Sequence, residues 1–211
     1  MRRMGRHARR AAAMIAAVTI LLAGCSDDSK LGPPTPAGAT DIGGPTVTSA
    51  PPPPPGWNPK DVVPQSQEEA QQTLLGYLQR TINALPAGIT FDATRFGGVG
   101  SGNIGCDDDA TSPDAPTRFD AAGDLVVPEG TDYAALVRQI GDVWRSWGWH
   151  AYERDEFRKP NQFGFSPDGY RLHVVSGARE GYPPGLEGST PCFPGQLARN
   201  DIPFPEVVSA T

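Results

Sequence analysis

The amino-acid sequence predicts an α+β fold, a two-layer sandwich of two helices packed on an antiparallel sheet, in the order α-β-β-α-β-β-β. Two segments with apolar residues at helical spacing, and a run of three short strand-like segments separated by turn residues, lead to this prediction. Each helix and the sheet has one apolar face, and packing the helices on the sheet buries these faces together.

The first predicted helix begins at a capping box formed by Ser66 and Glu69. Behind it, apolar residues recur at helical spacing as far as Leu85, and Pro86 and Gly88 end the helix. We therefore expect one face of this helix to lie on the sheet.

Short strands and a loop are predicted between the two helices. Strand-like residues occur at 89–91, and again at 117–119 and 125–127 on either side of an Ala122-Gly123 turn. The intervening segment 97–116 is rich in Gly, Asp and Pro, so we expect a loop there.

The second predicted helix begins at Thr131 or Asp132. Its apolar stripe includes Trp144 and Trp147, which predicts a core position for both rings. Trp149 opens the next strand, where we expect it to be available to a ligand or partner. Three strands, at 149–157, 162–166 and 170–176, are separated by turns that contain proline, which indicates an antiparallel meander.

The start of the chain predicts export and anchoring. Residues 1–24 carry five arginines and no acid ahead of a short apolar run, which is typical of a signal peptide. Leu22-Ala23-Gly24-Cys25 resembles the bacterial lipobox. The resemblance implies that a diacylglycerol is attached to the Cys25 thiol, so that the protein is held on the extracytoplasmic face of the cell membrane. The alternative is an ordinary signal peptide followed by an incidental cysteine.

The remaining chain divides into three parts. Residues 25–65 hold the lipidated cysteine and eleven prolines but few large apolar side chains, which predicts a disordered tether. Residues 66–205 are predicted to form one globular domain, and 206–211 a tail. Without residues 1–24 the chain has 13 basic and 24 acidic residues, a formal charge of −11. Such a charge disfavours binding to nucleic acid or to an anionic lipid surface.

Cys106 and Cys192 are the cysteines left after Cys25, and in an exported domain they are expected to form a disulfide. The alternative is a redox or metal role, which the absence of a Cys-x-x-Cys motif disfavours.

Other motifs are weak. A Gly-x-Gly-x-x-Gly pattern at 100–105 runs into an acidic loop rather than a helix, so we predict no nucleotide site and no cofactor. Asp107, Asp108, Asp109 and Asp114 could hold a calcium ion, but their spacing does not fit an EF-hand, and solvated charge is the expected state. His150 and His173 are too few for a zinc site, so we predict no metal.

The layout resembles the LppA-like lipoproteins of mycobacteria and other actinobacteria. The shared features are the lipobox, the helix before "AGITFD", "DYAALVRQIGDVWRSWGW", "NQFGFSPDGYRLHVVSG", and Cys106 and Cys192 in their loops. This resemblance implies a lipid-anchored envelope protein of unknown biochemical function and supplies no active-site residues.

These observations favour a non-enzymatic envelope lipoprotein whose domain binds an envelope protein or a cell-wall component. The long loop 177–191 supplies Arg179 and Tyr182 as candidate contacts, with Trp149 as a third. The alternative is a carrier or sensor of an apolar ligand, such as a lipid, in a cavity between helices and sheet. An enzyme is disfavoured because no arrangement typical of catalysis is found.

Overall fold

A computed structural model describes residues 50–97, 100–108, 112, 114–179 and 181–211. The predicted signal peptide, Cys25 and residues 26–49 of the predicted tether lie outside the described residues. The α+β prediction is confirmed, because two helices pack on one antiparallel sheet of eight strands in this part of the chain. No helix among the described residues is long and apolar enough to span a membrane.

The elements are α1 Gln67–Asn83, β1 Thr90–Asp92, β2 Ser101–Gly105, β3 Thr117–Val126, α2 Tyr133–Ser146, β4 His150–Tyr152, β5 Asn161–Phe165, β6 Arg171–Val175, β7 Gly185–Ser189 and β8 Val207–Ser209. The sheet has the strand order β4-β5-β6-β7-β3-β1-β8, and β2 pairs with β3 beside β1.

Both helices begin at side-chain caps. The Ser66 hydroxyl accepts a hydrogen bond from the backbone N–H of Glu69 at 3.1 Å, and the Glu69 carboxylate accepts one from the N–H of Gln65 at 2.8 Å. At the start of α2, Asp132 accepts hydrogen bonds from the N–H groups of Ala134 and Ala135. The caps satisfy backbone donors that would otherwise lack partners, so both helix starts agree with the sequence prediction.

Both helices lie on the same face of the sheet. Gly188, Leu172 and Gly164 are register partners on β7, β6 and β5 and therefore point to one face. A Cβ at Gly188 would meet Leu74 of α1, and a Cβ at Gly164 would meet Trp144 of α2. The core lies between this face and the two helices.

Trp144 of α2 is hydrogen-bonded to α1 within the core. Its side chain is fully buried, and its indole N–H donates to the Thr81 hydroxyl of α1 at 3.1 Å. Its predicted core position is confirmed, and Trp147 packs partly buried against the same cluster.

The predicted Ala122-Gly123 turn is wrong, since these residues lie within the ten-residue strand β3. β2 pairs with the first half of one edge of β3, and β1 pairs with the second half. Gly123 is needed there because a Cβ would lie 2.6 Å from the Phe91 ring. From the sequence alone, a glycine that close packing requires within a strand cannot be distinguished from a glycine in a turn.

Two segments predicted as irregular form edge strands. β2 lies within the predicted loop 97–116, and β8 lies within the predicted tail 206–211, where it pairs with β1. Both strands are short or rich in glycine, so neither shows an alternating apolar pattern.

The predicted disulfide is confirmed. Cys106 and Cys192 are bonded, with an S–S distance of 2.03 Å and a Cα–Cα distance of 6.3 Å. The bond joins the end of β2 to the segment after β7, beside a bridge between Thr117 and Phe193.

Candidate functional site

The sheet face opposite the helices carries no helix among the described residues, and we call it the open face. Side chains alternate along a strand, so Phe163 and Phe165 of β5 lie on the open face while Gly164 faces α2. Their register partners on β4 are Tyr152 and His150, which therefore share that face. Four ring-bearing side chains are thus gathered at one end of the sheet.

These rings contact one another. Tyr152 and Phe165 stack with centroids 5.7 Å apart, and His150 lies 4.7 Å from Tyr152. Trp57, from the segment before α1, meets His150 edge-on at 5.4 Å. All of these rings except Phe163 line an apolar depression of about 280 Å³, which we call the aromatic groove. Its lining residues are Trp57, Pro59, His150, Tyr152, Phe165, Ser166, Gly169, Tyr170 and Arg171.

The wall containing Trp57 is held by hydrogen bonds to the domain. The Trp57 indole N–H donates to the carbonyl of Phe165 at 3.3 Å, and the Lys60 N–H donates to the carbonyl of Pro167 at 2.6 Å. Farther back, the His150 Nε2 atom lies 2.9 Å from the Pro51 carbonyl oxygen.

We predicted a tether through residue 65, whereas Pro51 and Trp57 contact strands of the sheet and Lys60 contacts the turn after β5. The physical reason is that proline has a fixed φ and loses little entropy on ordering, while the Trp57 ring gains apolar contacts. The folded unit therefore includes residues that composition alone assigns to the tether.

The turn between β5 and β6 borders the groove and is held by side-chain hydrogen bonds. The Tyr77 hydroxyl donates to Asp168 at 2.8 Å, and the Ser166 hydroxyl donates to the other carboxylate oxygen of Asp168. Burial, together with the hydrogen bond to Asp168, raises the pKa of Tyr77. Burial also raises the pKa of Tyr170. These shifts favour the neutral hydroxyl in both side chains.

The other half of the open face is charged and internally paired. Arg95 binds Asp124 through two hydrogen bonds, and Arg118 lies 3.1 Å from Asp120. In each of these pairs, the opposite charges offset one another.

Glu187 and His173 form a third pair on this charged half, with 3.4 Å between the His173 Nε2 atom and a Glu187 oxygen. The hydrogen bond from His173 lowers the pKa of the Glu187 carboxyl, against the opposing effect of burial. The charge of Glu187 is thus stabilised within the fold.

No group of three or more His, Cys, Asp or Glu side chains that could hold a metal ion occurs in the part of the chain that the structure describes. Of the acidic loop considered as a calcium site, Asp109 lies outside that part. Solvated charge at this loop stays a prediction.

The three predicted contact residues do not form one site. Arg179 and Tyr182 are both exposed in the connection between β6 and β7, where the Tyr182 N–H donates to the Arg179 carbonyl at 3.1 Å. Trp149 is only 3% exposed and packs against Tyr77 and Trp147 on the helix side. The prediction for Trp149 is therefore corrected, because a buried ring offers no surface to a partner.

Sequence reasoning missed Trp57, Tyr152 and Phe165. Two signals pointed to them: the proline run 51–55 just before Trp57, and the alternation of rings at 150 and 152 and at 163 and 165. Alternating rings on strands without an opposing helix indicate an aromatic surface.

No family model matches the chain, and neither a curated protein nor a solved structure matches it. The resemblance to the LppA-like lipoproteins stays a prediction.

Proposed function

We propose that the chain is a lipid-anchored lipoprotein of the cell envelope whose exported domain binds another envelope protein at the aromatic groove, without catalysis. The observation that supports this most is the apolar groove walled by Trp57, Tyr152 and Phe165. Large rings with few rotatable bonds provide contact area at low entropic cost.

The proposed occupant is an extended, proline-containing segment of the partner. Grooves lined by aromatic rings bind proline-rich segments because these are ordered before binding and lose little entropy. Two prolines of the chain itself lie at this surface, since Pro59 lines the groove and the Pro51 carbonyl oxygen is 2.9 Å from His150 Nε2, and this supports the match with a proline-containing segment. Arg171 lines the groove and can donate to partner carbonyl or carboxylate oxygens.

The groove also lies where the proposed tether meets the domain, since Trp57 forms one of its walls. A partner bound there would contact the domain at the end of the proposed tether. Anchoring raises the local concentration of the domain near other envelope proteins, so modest affinity is sufficient.

The test is a calorimetric titration of the full chain with decaproline, a model of a polyproline II segment. We expect saturable binding that Tyr152→Ala weakens at least about tenfold, because a central aromatic contact is lost. Tyr182→Ala is the matched control, since Tyr182 is 52% exposed outside the groove, and it should bind like the wild type.

Two results would overturn the proposal. One is no binding of decaproline by the wild type. The other is binding that responds to Tyr182→Ala rather than to Tyr152→Ala. A parallel titration with a soluble peptidoglycan fragment separates the other partner class, because binding of that fragment alone would assign the groove to the cell wall.

A further inference from the structure

A second cavity, of about 480 Å³, lies on the helix side of the sheet. It is covered by residues 199–206, which we call the C-terminal strap. Its volume falls within the range of about 300–1,000 Å³ typical of small-molecule pockets. The strap side includes Ile202 and Phe204, and the sheet side includes Phe91, Phe119 and Ala121.

The strap is fastened at both ends. The side-chain amide of Gln67, only 2% exposed, donates to the Arg199 carbonyl at 2.8 Å and accepts from the Arg199 N–H at 2.5 Å. At the other end, the Ala93 N–H donates to the Glu206 carbonyl at 2.7 Å. The segment between them bridges the cavity, with Phe204 packed against Phe119 at 5.2 Å.

The polar end of the cavity has an unpaired acceptor. The Asn103 amide nitrogen donates to the Gln67 oxygen at 3.1 Å and to the Arg199 carbonyl at 3.0 Å. The Asn103 Oδ1 atom is buried and has no hydrogen-bond partner among the described residues. A buried acceptor without a partner is costly, so affinity is gained by a ligand whose donor reaches this atom as the Asn103 side chain turns toward the cavity.

A second unpaired polar atom lies beside the same strap. The Gln71 side chain is 4% exposed, and its Nε2 atom has no partner within the described part of the chain. Gln71 lines a smaller depression of about 180 Å³ that the strap residues Ile202 and Phe204 also line. Each of the two depressions lined by the strap therefore has a lining residue with an unpaired buried polar atom, Asn103 in one and Gln71 in the other.

We infer that the cavity under the C-terminal strap is a binding site for a small neutral amphipathic molecule that donates a hydrogen bond to Asn103 Oδ1. The apolar part of the ligand would pack among Phe91, Phe119 and Phe204. Arg199 is engaged by Asp201 at 2.8 Å, and Glu206 lines the cavity, so an anion is disfavoured. This site is separate from the aromatic groove. It also makes the alternative function from the sequence, a carrier or sensor of an apolar ligand, more specific, because the ligand must carry a hydrogen-bond donor.

The test is a calorimetric titration of the full chain with octanamide and with N,N-dimethyloctanamide. The two probes share an apolar tail and a carbonyl, but only octanamide has N–H donors. We expect octanamide to bind saturably and about tenfold more tightly than the dimethyl compound, because only octanamide pairs with Asn103.

Variants locate the binding. Ala121 is 1% exposed and lines the cavity, so Ala121→Leu should fill it and abolish octanamide binding. Ala122→Leu is the matched control, since Ala122 is the next residue of β3 and points to the opposite face, and it should bind octanamide like the wild type.

Equal affinity for the two probes would overturn the inference, as would no binding of octanamide, which would mean that water alone occupies the cavity. Unchanged binding by Ala121→Leu would also overturn it. If Ala121→Leu fails to fold, the probe pair on the wild type still decides the question. The groove proposal is tested with a different probe, so failure of either leaves the other standing.

Discussion

Single residues on β3 show how local side-chain volume fixes the position of a neighbouring strand. Gly123 lets the Phe91 ring of β1 pack directly on the β3 backbone, whereas Gly102 on β2 faces open space. The sequence presents both as glycines in glycine-rich surroundings, so it cannot tell a packing glycine from an exposed one.

We expect Gly123→Ala to lower the free energy of unfolding by about 1–3 kcal/mol, because the added methyl group overpacks against Phe91. Urea denaturation of the full chain measures this change. Gly102→Ala is the control and should change stability little, since nothing lies within 4 Å of its Cβ position. Equal effects of the two substitutions would contradict the packing role of Gly123.

Glu187 is a second single residue with a measurable effect, since it should make the free energy of unfolding depend on pH. Its pKa is lowered in the folded state by the hydrogen bond from His173, with the charges of Arg118 and Arg171 acting in the same direction and burial opposing them. A lowered folded pKa adds stability that is present above the ordinary glutamate value of 4.5 and is lost as the pH falls through the folded value.

We therefore expect the stability difference between the wild type and Glu187→Gln to shrink as the pH falls from 6 to 3. Urea denaturation of both proteins across this range measures the difference. A difference that stays constant with pH would mean that Glu187 is not stabilised in its charged form.

At the scale of elements, the sequence was sufficient to predict helices and strands where an apolar pattern repeats. The caps and stripes of α1 and α2, and the hairpin of β5 and β6, were predicted close to their observed positions. β1 and β8 have three residues each, too few to display a period of two. Their pairing is decided by tertiary contacts, which explains why the tail was not predicted as a strand.

The disulfide acts on elements by joining the β2 end to the segment after β7. It closes a loop with a sequence separation of 86 residues, and removing such a bond typically costs about 2–5 kcal/mol. We expect a Cys106→Ser/Cys192→Ser variant to lose stability of this order in urea denaturation. Adding a reductant should destabilise the wild type and leave the variant unchanged, and insensitivity of the wild type would contradict the structural role.

At the scale of the whole molecule, the candidate site brings together parts of the chain that are far apart in sequence. Trp57 contacts Phe165 across 108 positions, and the cavity joins Gln67 to Arg199 across 132. Rings and amides were visible in the sequence, but no local pattern reveals which of them meet. The exposed Arg179 and Tyr182 were found from loop length alone, a signal that indicates exposure and not a site.

The proposed lipid anchor concerns the whole chain and has its own test. If a diacylglycerol is attached to Cys25, metabolic labelling with radioactive palmitate should label the full chain in its host bacterium. Cys25→Ser should abolish the label while the Cys106–Cys192 disulfide still forms. A label that persists in Cys25→Ser would contradict anchoring through this thiol.

The central claim is that the aromatic groove binds an extended, proline-containing segment, and an NMR titration tests it most directly. Decaproline is added to the isotope-labelled full chain while the indole N–H resonances of the tryptophans are followed. We expect a saturable shift of the Trp57 indole N–H resonance, with little change in the resonances of the buried Trp144 and Trp149. Shifts confined to other residues, or none at all, would contradict the proposed binding function.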